Sequence, residues 1–162
     1  MTIVSSTQDP DALTFVVVAE LAAPPSRVWQ VWADPRQLER WWGPPTWPAT
    51  FEQHDFVAGG SSRYYMTGPE GEKARGWWRF VALDEPRSLE FEDGFSDESG
   101  APNPQMPTIR GRVAFEEIPA GTRMTVTSQF ASAEQMEQLV SMGMVEGMNE
   151  AVSQIDGILA TA

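Results

Sequence analysis

The sequence contains no cysteine, a single histidine, few basic residues and no long hydrophobic run. Without cysteine there are no disulfides, thiolate metal sites or cysteine nucleophiles, which agrees with a cytoplasmic location. With His54 alone, neither a multi-histidine metal site nor a histidine relay can form. The net charge of −12, from 11 basic and 23 acidic residues, argues against a nucleic-acid partner. No apolar run approaches the roughly 20 residues that span a bilayer, so we expect no membrane insertion.

The remaining composition is that of a folded domain. The 162 residues are 41% hydrophobic and 10% aromatic, enough for one globular domain with a real core. We assign residues 13–162 to this domain. Residues 1–12, MTIVSSTQDPDA, have neither a basic nor an apolar stretch of the kind found in secretory signals, and we expect a flexible N-terminal segment there.

Four of the seven tryptophans lie in residues 24–45. Proline at the start of this segment suits the first turn of a helix, and Asp34-Pro35 separates a second short helix from the first. The pattern predicts two short helices that pack on a concave surface. Their indoles either belong to the core or include one that closes a cavity mouth. An exposed Trp29 or Trp77 would instead suit a subunit contact, so a homodimer is a further possibility.

Strand-like patterns dominate the middle of the chain. Residues 13–23 predict one strand, and residues 47–130 predict about six more, separated by Gly- and Pro-containing turns. Their hairpin spacing favours an antiparallel meander. Residues 96–107 are too many for a tight hairpin and form either a mobile lid or an ordinary surface loop.

The last segment predicts one long helix that begins at a capping box of Ser132 and Gln135. One face of it is apolar and rich in methionine. Gly143 and Gly147 lie within that face, although each costs roughly 1 kcal/mol relative to alanine in a helix. They indicate either close approach of the helix backbone to the sheet or space left open.

Alternation along the strands predicts an apolar concave face opposite this helix, with Arg63, Arg110 and Arg112 pointing away from it. This face has few polar groups among many apolar ones, which is the composition of a small-molecule pocket. We expect the ligand-binding residues to be Tyr64, Met66, Trp78, Phe80, Phe91, Phe95, Phe115, Met124, Met144, Met148 and Gln154. For Gln154, a structural hydrogen bond to a strand-edge carbonyl is the alternative.

Three residues are weak catalytic candidates. His54 could act as a general base, although a solvent-facing strand position is the simpler interpretation. Asp93 falls on the concave face and is either an acid–base group or a solvated carboxylate at the cavity mouth. Tyr64 could donate its hydroxyl to a ligand. No phosphate-binding loop, nucleophile elbow or paired carboxylates are present in the sequence, so we expect no cofactor and no metal.

The order of these elements carries a resemblance. Among the matching pieces are Pro24-Pro25-Ser26-Arg27-Val28-Trp29, Leu38-Glu39-Arg40-Trp41-Trp42-Gly43-Pro44, Gly68-Pro69-Glu70-Gly71 and Gly121-Thr122-Arg123-Met124-Thr125. The chain resembles the helix-grip (Bet v 1-like) fold of the START-like (SRPBCC) superfamily, and within it the Activator of Hsp90 ATPase homolog 1-like family. The resemblance implies an α+β fold in which a long C-terminal helix covers a curved antiparallel sheet of about seven strands.

The resemblance also implies a hydrophobic-ligand cavity, but no particular reaction. Met144 and Met148 follow Gly143 and Gly147, where many relatives carry tryptophan, and this difference should enlarge or reshape the cavity. The leading hypothesis is a carrier or sensor of a small hydrophobic or amphipathic molecule. An enzyme of cyclase or hydrolase type, acting on an apolar substrate in the same cavity, is the alternative. A role as an Hsp90 co-chaperone or in stress response is a third hypothesis.

Overall fold

The computed structural model describes residues 2–160, which fold around one antiparallel sheet of eight strands. The strands are β1 (Thr2–Asp9), β2 (Thr14–Leu21), β3 (Ala49–His54), β4 (Ser61–Thr67), β5 (Lys73–Asp84), β6 (Ser88–Phe95), β7 (Ile109–Ile118) and β8 (Gly121–Gln129). Their order across the sheet is β1-β2-β8-β7-β6-β5-β4-β3. The predicted six-strand meander is confirmed as β3 to β8, each strand pairing with the next along the chain.

The additional strand is β1, where sequence analysis expected a flexible segment. It pairs with β2 from Thr2 opposite Glu20 to Asp9 opposite Thr14, with one irregularity in register. The Asp9 carboxylate accepts hydrogen bonds from the N–H groups of Asp11 and Ala12, both at 3.1 Å, in the turn that follows. Most of β1 is exposed, so it has no buried face whose alternation would reveal a strand.

Two short helices follow β2, as predicted: α1 (Pro25–Ala33) and α2 (Pro35–Leu38). Pro25 occupies the first turn of α1, where a missing N–H costs nothing. The carboxylate of Asp34 accepts a hydrogen bond from the N–H of Arg36 at 2.9 Å and caps α2. The indole N–H of Trp41 donates to the carbonyl oxygen of Val31 at 2.8 Å and ties the end of the pair back to α1.

The C-terminal helix is divided into three segments, α3 (Ala133–Ser141), α4 (Met144–Ser153) and α5 (Ile155–Ala160). Ser132 caps α3 as predicted, because its hydroxyl oxygen accepts from the N–H of Gln135 at 3.2 Å. The prediction of one continuous helix is wrong in this respect. Gly143 has φ +93°, a left-handed conformation that ends one helix and precedes the next. Apolar periodicity continues across this break and conceals it.

The helices cover different parts of the sheet. α1 contacts β7, β8 and α5, whereas α4 contacts β1 and β2. The molecule therefore has the predicted α+β helix-grip arrangement, with eight strands instead of about seven. Within residues 2–160, no helix is both long enough and apolar enough to cross a bilayer.

Candidate functional site

A cavity of about 270 Å³ lies between the sheet and the junction of α3 with α4. It is lined by Trp42, Pro44, Tyr64, Met66, Asp93, Phe95, Ile109, Leu139, Met142, Gly143, Met144, Gly147 and Met148. Its volume is just below the roughly 300 Å³ at which pockets for drug-sized molecules begin. The site therefore suits a small molecule with a largely apolar body.

Three strands supply the sheet side of the cavity. Tyr64 and Met66 are two residues apart on β4, and Asp93 and Phe95 are two apart on β6. Since side chains alternate along a strand, both members of each pair face the same side of the sheet. Ile109 lies directly opposite Asp93 on β7.

The α3–α4 junction supplies the other side. Met142, Gly143 and Met144 contribute to the wall, followed by Gly147 and Met148 within α4. A Cβ atom added to Gly147 would have no neighbour within 4 Å. Of the two alternatives from the sequence, the structure therefore has open space at this glycine and not close approach of the backbone.

Asp93 and Tyr64 form the polar part of the wall. The Tyr64 hydroxyl donates to Oδ1 of Asp93 at 3.1 Å. Burial raises the pKa of Asp93 to about 7, although the hydrogen bond from Tyr64 and the nearby Trp78 indole oppose the rise. Burial, followed by the charge of Asp93, also raises the pKa of Tyr64 well above its usual value. At neutral pH the tyrosine is therefore neutral, while Asp93 exists in both protonation states.

Two indole N–H groups lie beside this pair. Trp42 is 7% exposed and Trp78 is fully buried. Their proximity partly offsets the rise in the pKa of Tyr64. Neither N–H, however, has a hydrogen-bond partner at bonding geometry within the described residues. This end of the cavity thus combines one carboxyl group with neutral donors.

The predicted ligand-binding residues, apart from Gln154, divide into two groups of five. Five of the eleven line the cavity: Tyr64, Met66, Phe95, Met144 and Met148. Asp93, which is partly exposed, lines it as well. Their contact with a ligand remains a prediction.

Another five predicted contacts lie in the core outside the cavity: Trp78, Phe80, Phe91, Phe115 and Met124. Trp32 covers part of this group, because its ring lies 6.1 Å from the rings of both Trp78 and Phe91. The Trp32 indole N–H also donates to the sulfur of Met124 at 3.4 Å. The helical pair therefore occupies the space that sequence analysis assigned to a ligand.

Trp29 and Phe56 cover the rest of this group. Trp29 packs edge-to-face on Phe115 and on Phe56, with centroid distances of 5.5 Å in both cases. Phe56 in turn lies 5.1 Å from Phe80. Trp29 is only 2% exposed, so the expectation of a subunit contact through it is wrong. The homodimer given as a further possibility then depends on Trp77, which is partly exposed, and nothing in the structure tests it.

His54 lies outside the cavity and faces the protein interior, contrary to the expected solvent-facing position. Its Nε2 donates to the carbonyl oxygen of Trp32 at 2.9 Å, since that oxygen can only accept. Nδ1 then accepts from the hydroxyl of Ser62 at 2.7 Å. Burial lowers the pKa of His54 below its usual value. The ring therefore connects the end of α1 to β4.

Gln154 has a structural role, but its partners are carbonyl oxygens of the chain after α2 and not of a strand edge as sequence analysis expected. Its side-chain N–H group donates to the carbonyl oxygens of Trp41 at 3.2 Å and Gly43 at 2.7 Å. These bonds hold the end of α4 against the chain that follows α2. The residue does not line the cavity.

The connection at residues 96–107 turns toward the outer face of the sheet. Ser96 and Pro102 form an isolated bridge, and the carboxylate of Asp97 accepts from the N–H of Ala101 at 3.1 Å. Exposed Arg63 donates to the carbonyl oxygen of Gly100 at 3.3 Å. These contacts support the surface-loop alternative over the lid.

A wider depression of about 590 Å³ lies on this outer face, next to Trp77 and Gly100. Its charged groups are already satisfied by protein contacts. Arg79 donates to the carboxylate of Glu92 through Nε at 2.9 Å, and Arg63 bonds to the loop. The depression on the outer face therefore has paired charged groups, whereas the cavity between the sheet and the α3–α4 junction is largely apolar.

Eight cavity residues were absent from the predicted binding set. Asp93, Gly143 and Gly147 had been discussed in other roles, and sequence analysis gave no binding role to Trp42, Pro44, Ile109, Leu139 and Met142. Strand alternation identifies Ile109 as inward-facing, and Trp42 fits the alternative of an indole at the cavity. Met142 is 58% exposed, and it reaches the site only because α3 ends beside it.

The comparisons with known proteins agree on the fold. The model of the Activator of Hsp90 ATPase homolog 1-like protein family matches residues 22–160. A protein from Arthrobacter aurescens, solved by NMR, is 55% identical over 99% of this chain and 94% of its own, with a TM-score of 0.95. Protein Ms6760 from Mycobacterium smegmatis is 47% identical over 98% of this chain and 97% of its own, with a TM-score of 0.90.

A more distant similarity supports the fold alone. A protein from Rhodobacter sphaeroides has a TM-score of 0.83 at 22% identity, over 98% of this chain and 99% of its own. No curated protein matches the sequence. Because the family model covers most of the sequence, the chain belongs to the Activator of Hsp90 ATPase homolog 1-like family.

Proposed function

We propose that this protein binds a small hydrophobic or amphipathic molecule in the cavity between the sheet and the α3–α4 junction, as a carrier or sensor. The main observation in support is an apolar space of about 270 Å³ with a single polar wall. Protein interiors normally leave few voids larger than a water molecule. The composition of this cavity is typical of a ligand site, and its volume suits a molecule smaller than a drug-sized one.

The walls suit a ligand of irregular shape. Three methionines, Met142, Met144 and Met148, line the helical side, and Met66 lines the sheet side. Methionine is unbranched and polarizable, so it adapts to different surfaces. Gly147 adds the space that a side chain would otherwise fill.

An enzyme acting on an apolar substrate is the second candidate, and Asp93 is the observation that favours it. A carboxyl group with a pKa of about 7 in an apolar cavity is suited to accept and return a proton near neutral pH. Tyr64 would orient it. Under this alternative, Asp93→Asn and Tyr64→Phe abolish turnover of a substrate while the protein still binds it.

Filling the cavity tests the proposal. Gly147→Leu places a side chain in the cavity, whereas Gly157→Leu adds the same side chain to an exposed glycine of α5. The probe is 1-naphthylmethanol, measured by isothermal titration calorimetry. We expect the wild type and Gly157→Leu to bind alike, and Gly147→Leu to bind at least tenfold more weakly. Equal binding by all three proteins, or no binding by the wild type, would contradict the proposal.

A further inference from the structure

Asp93 is an acid without a counter-ion. Within residues 2–160, no lysine, arginine or histidine lines the cavity. Among the described residues, the one hydrogen bond to its carboxylate comes from the neutral Tyr64 hydroxyl. The side chains opposite it in the sheet are Trp78 on β5 and Ile109 on β7, neither of which can carry a positive charge.

The surroundings offset only part of the cost of a negative charge at this point. Tyr64 donates to one carboxylate oxygen, and the indole N–H groups of Trp42 and Trp78 lie close by without partners of their own. Neutral donors stabilise a carboxylate but do not neutralise it. A carboxylate in a largely apolar wall is normally paired with a cation, and without one its pKa rises, as that of Asp93 does.

We propose that the cavity selects ligands that carry a protonated amine on an apolar body, and that Asp93 pairs with the amine. This inference rests on the proposed function. The ammonium group supplies the counter-ion that the protein lacks. The aromatic rings of Trp42 and Tyr64, with centroids 6.4 Å apart, offer additional attraction to a cation.

The net charge of the whole protein also favours a cationic ligand. The net charge of −12 raises the local concentration of cations and opposes the approach of anions. Arg63, Arg110 and Arg112 are exposed and absent from the cavity wall. A ligand carboxylate would therefore meet Asp93 without a compensating cation.

Three probes of matched shape test this selectivity at pH 8: 1-naphthylmethylamine, 1-naphthylmethanol and 1-naphthoate. By calorimetry we expect the amine to bind at least tenfold more tightly than the alcohol, and the carboxylate at least tenfold more weakly. Asp93→Asn should remove the advantage of the amine. Glu92→Gln is the matched control, because it removes one charge from the adjacent position of β6, outside the cavity.

The pH dependence gives a second readout. In the part of the chain that the structure describes, Tyr64 is the one other titratable group in the cavity wall, and it stays neutral in this range. As Asp93 takes up a proton between pH 8 and pH 6, affinity for the amine should fall about tenfold, while affinity for the alcohol changes little.

The outcomes separate the two proposals. Equal affinities for amine and alcohol in the wild type, or an amine preference that survives Asp93→Asn, would overturn the selectivity while leaving the binding function intact. If no probe binds, the proposed function fails first, and the selectivity fails with it.

Discussion

Burial shifts the pKa of two residues in opposite directions, because it disfavours whichever form is charged. The pKa of Asp93 rises to about 7, and the pKa of His54 falls below its usual value. Asp93 lies in the cavity wall, while His54 bonds to Ser62 and to the backbone of Trp32. The first residue therefore belongs to the proposed site, and the second to the structure around α1.

Asp93→Asn should stabilise the protein at pH 8. The native carboxyl has a higher pKa than the unfolded one, so the native state binds more protons between about pH 4 and pH 7. The wild type therefore loses stability as pH rises through this window. We expect a gain of about 2 to 4 kcal/mol for the variant at pH 8, fading toward pH 4.

Urea unfolding across this pH range measures the effect. The amide oxygen of asparagine can still accept the hydrogen bond from Tyr64, so the variant removes charge and preserves shape. A variant that is no more stable than the wild type at pH 8 would show that the native environment does not oppose the charge of Asp93.

His54→Ala should destabilise the protein by about 1 to 3 kcal/mol at pH 8, because Ser62 and the Trp32 carbonyl lose their partner. The native pKa of His54 lies below the unfolded one, so wild-type stability falls as pH drops below about 6.5. The difference between variant and wild type should therefore shrink toward pH 5. Binding of 1-naphthylmethanol should not change, and weaker binding would instead place His54 in the site.

At the scale of elements, the break between α3 and α4 shapes the site. Gly143 is left-handed, and both it and its neighbours Met142 and Met144 line the cavity. Helical periodicity could not reveal the break, since the apolar positions remain in phase on both sides. The same periodicity did identify the methionine-rich face, because the residues that a helix buries recur with the helical period.

Gly143→Ala tests this break. An alanine in the left-handed conformation costs roughly 1 to 2 kcal/mol, and urea unfolding should show a loss of this size. Gly157→Ala is the control, because Gly157 lies within α5 and an added methyl group meets no neighbour. The free energy of unfolding of this control should rise by up to about 1 kcal/mol, because alanine has a higher helix propensity than glycine. A similar gain for Gly143→Ala would mean that the helix is continuous.

Strands were predictable where burial differs between their two faces. The meander strands alternate clearly, as in β7, where Ile109, Val113 and Phe115 are buried and Arg110 and Arg112 are exposed. The edge strand β1 was not predictable, because its backbone pairing with β2 requires no apolar side chains. Backbone pairing with β2 positions most of this strand, with Ile3 packed against the core.

At the scale of the whole molecule, the sequence predicted the fold more fully than the site. Alternation shows that Met66 and Phe91 both point inward, but not how far the helical pair extends over the sheet. Trp32 covers Phe91, whereas Met66 remains open to the cavity. The extent of this coverage depends on how the elements pack in three dimensions, which periodicity along one element does not contain.

Native mass spectrometry of the gently purified protein tests the central claim, ligand binding in the cavity, most directly. The intact mass is compared with the denatured mass, before and after incubation with the three naphthyl probes. We predict an excess mass that is lost on denaturation, from a retained molecule or from a one-to-one complex with the amine probe. Native and denatured masses that coincide under every one of these conditions would contradict the account.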